Sequence, residues 1–368
     1  MRGRASAQGG LCYVVNVEGL VPPGHPLRGI KERADAELRR LRPHFEAAYA
    51  RTGRPSIPPE HLIKASLLQA LYSIRSERRL CEEIGYNLLY RWFLDLPLDE
   101  PVWDHSTFSA NRERFAAHGL MRRFFEGSVA QAIEEEAAST GHFSVDGTLI
   151  ESWASMKSVR PKDEEPPSSG DSNRWVDFRG ERRSNATHQS TTDPEARLMR
   201  KGRGQEAVLA HSMHALMENR NGLVMGIGVE EANGTAERAG AEGHLKRVRR
   251  RHWVRPKTVG ADKAFDDGAF LLRLEHLGVV PHVAIREGPI RAPGPEGWAR
   301  RLARRRQRTR GYQLSQRVRR RIEEVFAWLK EVAGMRRARF VGRWKIQLSA
   351  YAAAATYNLL RLTSRAAA

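Results

Sequence analysis

The stretch from Gln316 to Lys330 constrains the fold most, because its apolar residues recur at the spacing of an amphipathic helix. At about 100° per residue, Arg319, Glu323 and Lys330 lie together along one border of the apolar stripe, whereas Glu324 points toward solvent. We therefore predict one continuous helix that buries its apolar face and holds Glu323 between two cations. Such a carboxylate can form ion pairs within its own helix or bind a metal ion. The apolar stripe consists of Val318, Ile322, Val325, Phe326 and Leu329.

Positive charge is concentrated around this predicted helix. The 368 residues include 62 Lys and Arg but 43 Asp and Glu, which gives a net charge of +19. Residues 286–345 contain 19 Lys and Arg and 5 Glu, so this segment contributes +14 of that charge. Such a concentration favours a polyanionic partner, most simply nucleic acid. The densest run includes Arg304, Arg305 and Arg306, which we predict to contact a DNA backbone, although a solvated basic loop has the same composition.

The cysteine content and the hydropathy exclude several other classes of protein. The chain has two cysteines, Cys12 and Cys81, too few for a disulfide scaffold or a thiolate zinc site. No apolar run approaches the ~20 residues that a membrane-spanning helix needs. Residues 1–26 contain no apolar core of a secretory signal and are expected to be a lead-in segment. We therefore expect a cytoplasmic protein with reduced thiols and no membrane partner.

Residues 27–139 have helical patterning throughout, and we predict a helical N-terminal domain over this range. Asp104 or Ser106 is expected to cap a helix that carries Arg112. A series of short helices with basic exposed positions is compatible with helix-turn-helix DNA binding through Arg112. A helical domain that only packs against the rest of the chain would have the same pattern.

The hydrophobic period changes at Gly141, and the following residues predict a sheet. Residues 142–146 alternate and are expected to form a strand that ends at Asp146. A hairpin is predicted over residues 207–229, and a further strand is expected to end at Asp262. Strands joined first by a hairpin and then through helices describe a mixed sheet, so we predict a mixed α+β or α/β fold. The catalytic domain is expected over residues 140–362, with an insert at about 157–206 and a tail at 363–368.

Three carboxylates are expected to converge at one edge of this sheet. Ligands of such sheets gather at the carboxyl ends of the central strands, where Asp146 and Asp262 are predicted to lie. A helix packed across the same edge would bring Glu323 to them. Three clustered carboxylates ionise together only with a cation between them, and hard oxygen ligands suit Mg²⁺. Asp146, Asp262 and Glu323 are therefore predicted to be metal ligands.

Several segments together resemble the DDE transposases of bacterial insertion sequences, of the insertion-sequence-five and -four group. The motifs are VDGTLIESW at residues 145–153, GADKAF at residues 260–265, and the spacing of Arg319, Glu323 and Lys330. Residues 58–115 and 176–202 resemble other parts of these transposases, although Gln316 stands where they usually have tyrosine.

The resemblance implies a catalytic core with an RNase H-like fold. It also implies a catalytic triad of Asp146, Asp262 and Glu323, and phosphate contacts through Arg319 and Lys330. The implied cofactor is Mg²⁺, for which Mn²⁺ can substitute. The implied partners are double-stranded DNA, as terminal inverted repeats and as target DNA, and further copies of the chain in a homodimer or higher assembly on DNA. Such an enzyme would associate with the bacterial nucleoid when bound to DNA.

Two other functions remain open from the sequence. A metal-dependent nuclease of the same fold would need the same three carboxylates. A catalytically inactive DNA-binding protein descended from a transposase would keep the basic surface without cleaving DNA.

Overall fold

The structure is a computed structural model that describes residues 16–50, 52–53, 55–162, 184–200 and 206–367. The predicted insert at 157–206, and the motif at 176–202 within it, therefore lie partly outside the described residues. Cys12 also lies outside them, and Cys81 is a free thiol. No helix of the described ranges is both long enough and apolar enough to cross a membrane.

The described residues before 140 form seven helices. Helix α2 begins at a proline and α3 does too, a position where the missing N–H costs no hydrogen bond. Ser76 and Asn87 cap the next two helices by accepting hydrogen bonds from main-chain N–H groups. The helical N-terminal region predicted from the sequence is thus present. Its helices are α1 (Val17–Leu20), α2 (Pro26–Ala48), α3 (Pro59–Leu71), α4 (Glu77–Tyr86), α5 (Leu88–Leu94), α6 (Ser106–Ala117) and α7 (Leu120–Glu134).

The second half of the chain contains a mixed sheet. Its long strands are β1 (His142–Glu151), β5 (Val208–Glu218) and β6 (Leu223–Glu231), and its short ones are β7 (Thr258–Ala261) and β8 (Val280–Val283). The order across the sheet is β6-β5-β1-β7-β8, with antiparallel pairing on the β5 side of β1 and parallel pairing on the β7 side. This order and these directions are those of an RNase H-like core, so the predicted fold class is confirmed.

The described residues between β1 and β5 include three short strands. The strands β2 (Val159–Pro161) and β3 (His188–Ser190) form a separate two-stranded ribbon, and β4 (Arg197–Met199) pairs with the start of β5.

Six further helices surround the sheet. They are α8 (Ala236–His252), α9 (Gly268–His276), α10 (Gly294–Arg306), α11 (Arg310–Arg319), α12 (Arg321–Glu331) and α13 (Arg343–Ala366). The last of these packs against β6 on one side and against α2, α3 and α7 on the other. One continuous cluster of buried apolar residues consequently extends from the N-terminal helices into the sheet.

Two boundaries differ from the prediction. The strand β1 does not end at Asp146 but continues to Glu151, because β5 pairs with it along this whole length while β7 pairs only as far as Ser144. The single helix predicted over 316–330 is divided at Arg320 into α11 and α12. Helix α11 packs against β1, β7 and β8, whereas α12 packs against β1 and buries Ile322, Val325, Phe326 and Leu329.

Candidate active site

Two carboxylates meet where β7 ends beside β1. In this parallel pair Ser144 lies opposite Gly260, and β7 ends at Ala261. The same register, continued by two residues, places Asp262 next to Asp146. Asp146 is therefore in the middle of its own strand but at the end of its parallel pairing. The sequence predicted that two strands end at this edge of the sheet. In the structure only β7 ends there, and β1 continues.

Asp146 is held by the main chain and by one cation. Its Oδ1 accepts a hydrogen bond of 2.8 Å from the N–H of Gly147, and its Oδ2 lies 3.2 Å from Nη1 of Arg319. Burial, together with repulsion from Asp262 and Glu323, raises the pKa of Asp146 to about 6, against the lowering effects of Gly147 and Arg319. Burial beside like charges thus disfavours the ionised form of Asp146.

Glu323 and Glu324 face different parts of the structure. Both lie in the first turn of α12, where the N–H of Glu323 donates to the carbonyl of Arg320 at 3.0 Å. The charge of Glu323 acts on Asp146, whereas the charge of Glu324 acts on Tyr357 of α13. Both glutamates are exposed, and Glu323 is the one whose charge acts on Asp146, so its place in the triad stays a prediction.

The two cations that flank Glu323 in the sequence both contact β1. Arg319 pairs with Asp146, and Nζ of Lys330 donates to Oγ1 of Thr148, two residues further along the strand. Alternate residues of a strand share a face, so these contacts place α11 and α12 on the same face of β1. A basic rim therefore adjoins the carboxylates on this face.

A further carboxylate, which the sequence analysis did not single out, lies against β1 at Gly147, on the face opposite Asp146. Glu237 lies in the first turn of α8, and burial together with the charges of Asp146 and Asp262 raises its pKa. It escaped notice because an acidic residue in the first turn of a helix is already favoured by the helix dipole. Its one sequence signal was Gly147, since the carboxylate fills the space where a side chain at 147 would lie.

The residues predicted to contact DNA outside the site have different environments. The guanidinium of Arg112 pairs with Glu77 and lies 4.2 Å from the ring centre of Phe340, so it is engaged within the protein. In α10, Arg304 donates to main-chain carbonyl oxygens and Arg306 pairs with Glu275, whereas Arg305 is exposed. The helical phase thus exposes Arg305 to solvent and directs Arg304 and Arg306 to partners within the protein.

The donor set at the sheet edge fits a hard divalent cation. It consists of carboxylate oxygens contributed by separate elements, and the first one has a raised pKa because it is buried beside like charges. Among the described residues, no three acidic, histidine or cysteine side chains stand close enough together to enclose a metal ion. Mg²⁺ typically keeps several waters and takes only one or two carboxylates directly.

Two family models match the chain. The model described as Transposase domain (DUF772) matches residues 15–114, and the model described as Transposase DDE domain matches residues 184–359. Together these segments cover well over half of the chain, and they place it among the transposases. More specifically, the chain belongs to the DDE transposases, as its motifs indicated. Asp262 and Glu323 lie within the second matched segment, and Asp146 lies before it.

Two solved structures show a weak similarity to this one. The "Mos1 transposase paired-end complex with left transposon end" is 10% identical over 74% of this chain and 81% of that chain, with a TM-score of 0.22. The "Crystal structure of a pre-cleavage Mos1 transpososome" is 11% identical over 85% of this chain and 80% of that chain, also with a TM-score of 0.22. A likeness at this TM-score supports no conclusion. The comparison with curated proteins found no match.

Proposed function

We propose that this chain binds the terminal inverted repeats of an insertion sequence, hydrolyses a phosphodiester bond at the element end and joins the freed 3′-hydroxyl to target DNA. The observation that carries the proposal is the match to a transposase DDE domain, and it is supported by the parallel register that brings Asp262 toward Asp146 and by the charge of Glu323 acting on Asp146. Asp146 and Asp262 hold the cation, and Glu323 completes the site. Mg²⁺, or Mn²⁺ in its place, supplies activation of the attacking oxygen and stabilisation of the leaving oxygen when it is bound.

Arg319 has two roles in this proposal. In the chain without DNA its guanidinium is the counter-ion of Asp146, at 3.2 Å. With a cation bound by the aspartates, this guanidinium would be available to a DNA phosphate beside the scissile bond. Lys330, on Thr148 of the same strand face, provides a second positive charge along the DNA backbone. Both residues therefore orient the substrate rather than react with it.

The outer face of α10 extends this positive rim. Trp298, Arg301 and Arg305 are exposed and recur at helical spacing, and Arg308 follows at the next turn. The helix is tied to the loop after Asp262, because Arg300 donates two hydrogen bonds of 2.8 Å to Asp266. The face is therefore held at a fixed position relative to the aspartates. We propose that it contacts the DNA backbone.

We further propose that residues 27–139 form a DNA-binding domain and residues 140–362 the catalytic domain, with the insert at about 157–206. Strand transfer needs two element ends in one assembly, so a homodimer or a higher assembly forms on DNA. The chain then acts where its DNA is, in the bacterial cytoplasm at the nucleoid.

Cleavage of a labelled duplex that carries the element's own terminal repeat tests the proposal. We expect the wild type and Glu324→Ala to nick the repeat boundary with Mg²⁺, and Glu323→Ala to lose cleavage by a factor of at least ~10². Glu324→Ala is the matched control, since it removes the same group from the adjacent position, which faces Tyr357.

Three other outcomes contradict all or part of the proposal. Binding without cleavage by all three proteins would indicate an inactive DNA-binding relative. Cleavage without joined products on a cognate end would indicate a nuclease. Loss of cleavage in Glu324→Ala but not in Glu323→Ala would exclude Glu323 from the triad.

A further inference from the structure

The outer face of α8 carries a stripe of positive charge. Residues 243–261, which include the second half of this helix, contain seven Lys and Arg and no Asp or Glu. The helix packs against β5 and β6 and buries His244, Leu245 and Val248. At about 100° per residue, the opposite arc of the helix faces solvent. The exposed residues of this arc form the α8 surface, which consists of Lys246, Arg247, Arg250, Arg251 and Trp253.

The α8 surface lies on the side of the sheet opposite the predicted triad. The contacts of Arg319 and Lys330 place α11 and α12 on the face of β1 that carries Asp146. A Cβ added at Gly147 would instead lie 2.4 Å from Oε1 of Glu237, so α8 covers the other face. The outer arc of α8 points away from the sheet. A DNA duplex seated on Arg319 and Lys330 is therefore separated from the α8 surface by the sheet.

The carboxylates beside the α8 surface neutralise only part of its charge. Glu242 pairs with Lys246 at 2.6 Å, and Glu126 of α7 lies 3.3 Å from Nε of Arg251. Arg250 is exposed and forms no hydrogen bond or salt bridge within the described part of the chain. The surface consequently keeps a net positive charge, which a polyanion would neutralise.

The positive surface continues from α8 onto the N-terminal helices. Arg251 reaches Glu126 of α7, and the neighbouring Arg122 of α7 is exposed. On the same helix, Nη1 of Arg123 lies 3.4 Å from Nε2 of His44 of α2. Cations of the sheet domain and of the helical region thus adjoin one another, so one extended partner can contact both.

Trp253 is placed at a cost to the chain alone. It ends α8 with a φ of 57°, in the left-handed region that favours glycine. Its indole ring is 81% exposed, so burial within the chain does not offset this backbone strain. The helix dipole favours cations in the last turn, but it accounts neither for Trp253 nor for Lys246 and Arg247 further back. Such an arrangement indicates a partner outside the chain.

We propose that the α8 surface binds the phosphates of a second DNA duplex, independently of its sequence, with Trp253 packed against the DNA backbone. This inference rests on the proposed function, since it takes DNA as the partner, and it adds a duplex on the side of the sheet away from the triad. Guanidinium groups match phosphate in geometry and charge. A further copy of the chain fits less well, because each copy carries a net charge of +19 and would be repelled. The exposed arc also lacks the apolar centre of a protein interface, since Trp253 is its one large apolar residue.

Binding of a labelled duplex of arbitrary sequence by the full chain, measured at several salt concentrations, tests the inference. We expect Arg250→Ala to lower the slope of log affinity against log salt concentration by about 1, because one phosphate contact is lost. Arg249→Ala is the matched control. Arg249 is adjacent and carries the same charge, but its Nη1 donates to the carbonyl of Leu277 at 2.8 Å, so the slope should stay at the wild-type value. An unchanged slope in Arg250→Ala, or an equal decrease in both variants, would overturn the inference.

Trp253→Gly separates a DNA contact from a structural role. Glycine fits the left-handed backbone, so we expect the variant to unfold at a temperature at least as high as the wild type. We also expect it to bind the duplex about 10-fold more weakly, as the lost burial of part of an indole ring implies. Unchanged affinity would overturn the contact through Trp253, and so would a loss of affinity that accompanies a lower unfolding temperature.

The inference and the proposed function can fail separately. Duplex binding that depends on Arg250, in a chain that cleaves no terminal repeat, would support the inference and contradict the proposed function. Cleavage of the terminal repeat by the wild type, together with an unchanged slope in Arg250→Ala, would do the reverse. A larger effect of Arg250→Ala on a single strand than on a duplex would also overturn the inference, because the partner would then not be a duplex.

Discussion

Glu37 on α2 is a buried carboxyl group whose pKa this fold raises to near neutral pH. Its side chain is 5% exposed and lies against Gly127 of α7, where an added Cβ would come within 1.9 Å of the carboxyl carbon. Burial raises the pKa of Glu37 to about 7, although Arg40 opposes this effect. Since the unfolded chain releases this proton near pH 4.5, folding takes up a proton between these two values.

The pH dependence of stability should therefore change in Glu37→Gln. The contribution of Glu37 is most favourable below pH 4.5 and is lost as the pH rises through about 7, whereas a glutamine has no such loss. We expect the variant to gain about 3 kcal/mol over the wild type above pH 8 and almost nothing at pH 4. Urea unfolding of both proteins across this range measures the difference, and a constant difference would contradict the assignment.

Gln316 performs a task that a tyrosine could not perform in the same way. Its Nε2 donates to the carbonyl of His282 at 2.6 Å and to that of Ala261 at 3.2 Å, so one amide joins the ends of β7 and β8. A tyrosine hydroxyl has a single proton to donate. Gln316 thus holds α11 on the two parallel strands, directly before Asp262.

At the scale of an element, the arginines of α10 serve different purposes according to their phase. Arg305 is on the exposed face, whereas Arg306 turns inward and pairs with Glu275 of α9. The two residues are adjacent and carry the same charge, so substitution of each gives a matched comparison. Any effect of the net charge alone would be equal in both variants.

We expect Arg305→Ala to weaken DNA binding and to lower the slope of log affinity against log salt concentration by about 1, because one phosphate contact is lost. Arg306→Ala should keep the wild-type slope and instead lower the thermal stability by up to about 1 kcal/mol. Fluorescence anisotropy at several salt concentrations and thermal unfolding test both expectations. Equal slopes in the two variants would exclude the outer face of α10 from the DNA surface.

At the scale of the whole molecule, α13 connects the N-terminal helices with the sheet. Asn358 is fully buried on this helix, where it accepts a hydrogen bond from the N–H of Val224 at 2.9 Å and donates to the carbonyl of the same residue at 2.8 Å. It also donates to Ser128 of α7 at 3.3 Å. One side chain therefore joins the C-terminal helix, a strand and an N-terminal helix.

Asn358→Ala should destabilise the whole molecule. It leaves two main-chain groups of Val224 buried without partners, at a cost of about 2–4 kcal/mol. Because the buried cluster is continuous, we expect the helical region and the sheet to unfold together in one transition at lower denaturant concentration. Ser364→Ala on the exposed end of α13 is the control and should change stability little. Two separate transitions in the wild type would contradict the shared core.

The sequence by itself determined the periodic and local features of this protein. The turn at 219–222 correctly joined two strands, whereas the choice of Glu323 over Glu324 by helical spacing stays a prediction. The order of the motifs indicated the family and the mixed sheet, because both can be recognised from short stretches of sequence. The pairing of Asp146 with Asp262 followed from the expectation that parallel strands share an edge.

The tertiary structure decided whatever depends on which surfaces meet. Only the pairing of β5 with β1 carries the strand past Asp146, and only the separate packing of α11 and α12 divides the helix at Arg320. The inward partners of Arg112 and Arg306 lie 35 and 31 residues away, so spacing could not reveal them. Gly147 lies on β1 and Glu237 lies on α8, and the two residues are 90 positions apart in the sequence. A contact between such residues is set by the packing of a helix on a sheet, which no local pattern of residues encodes.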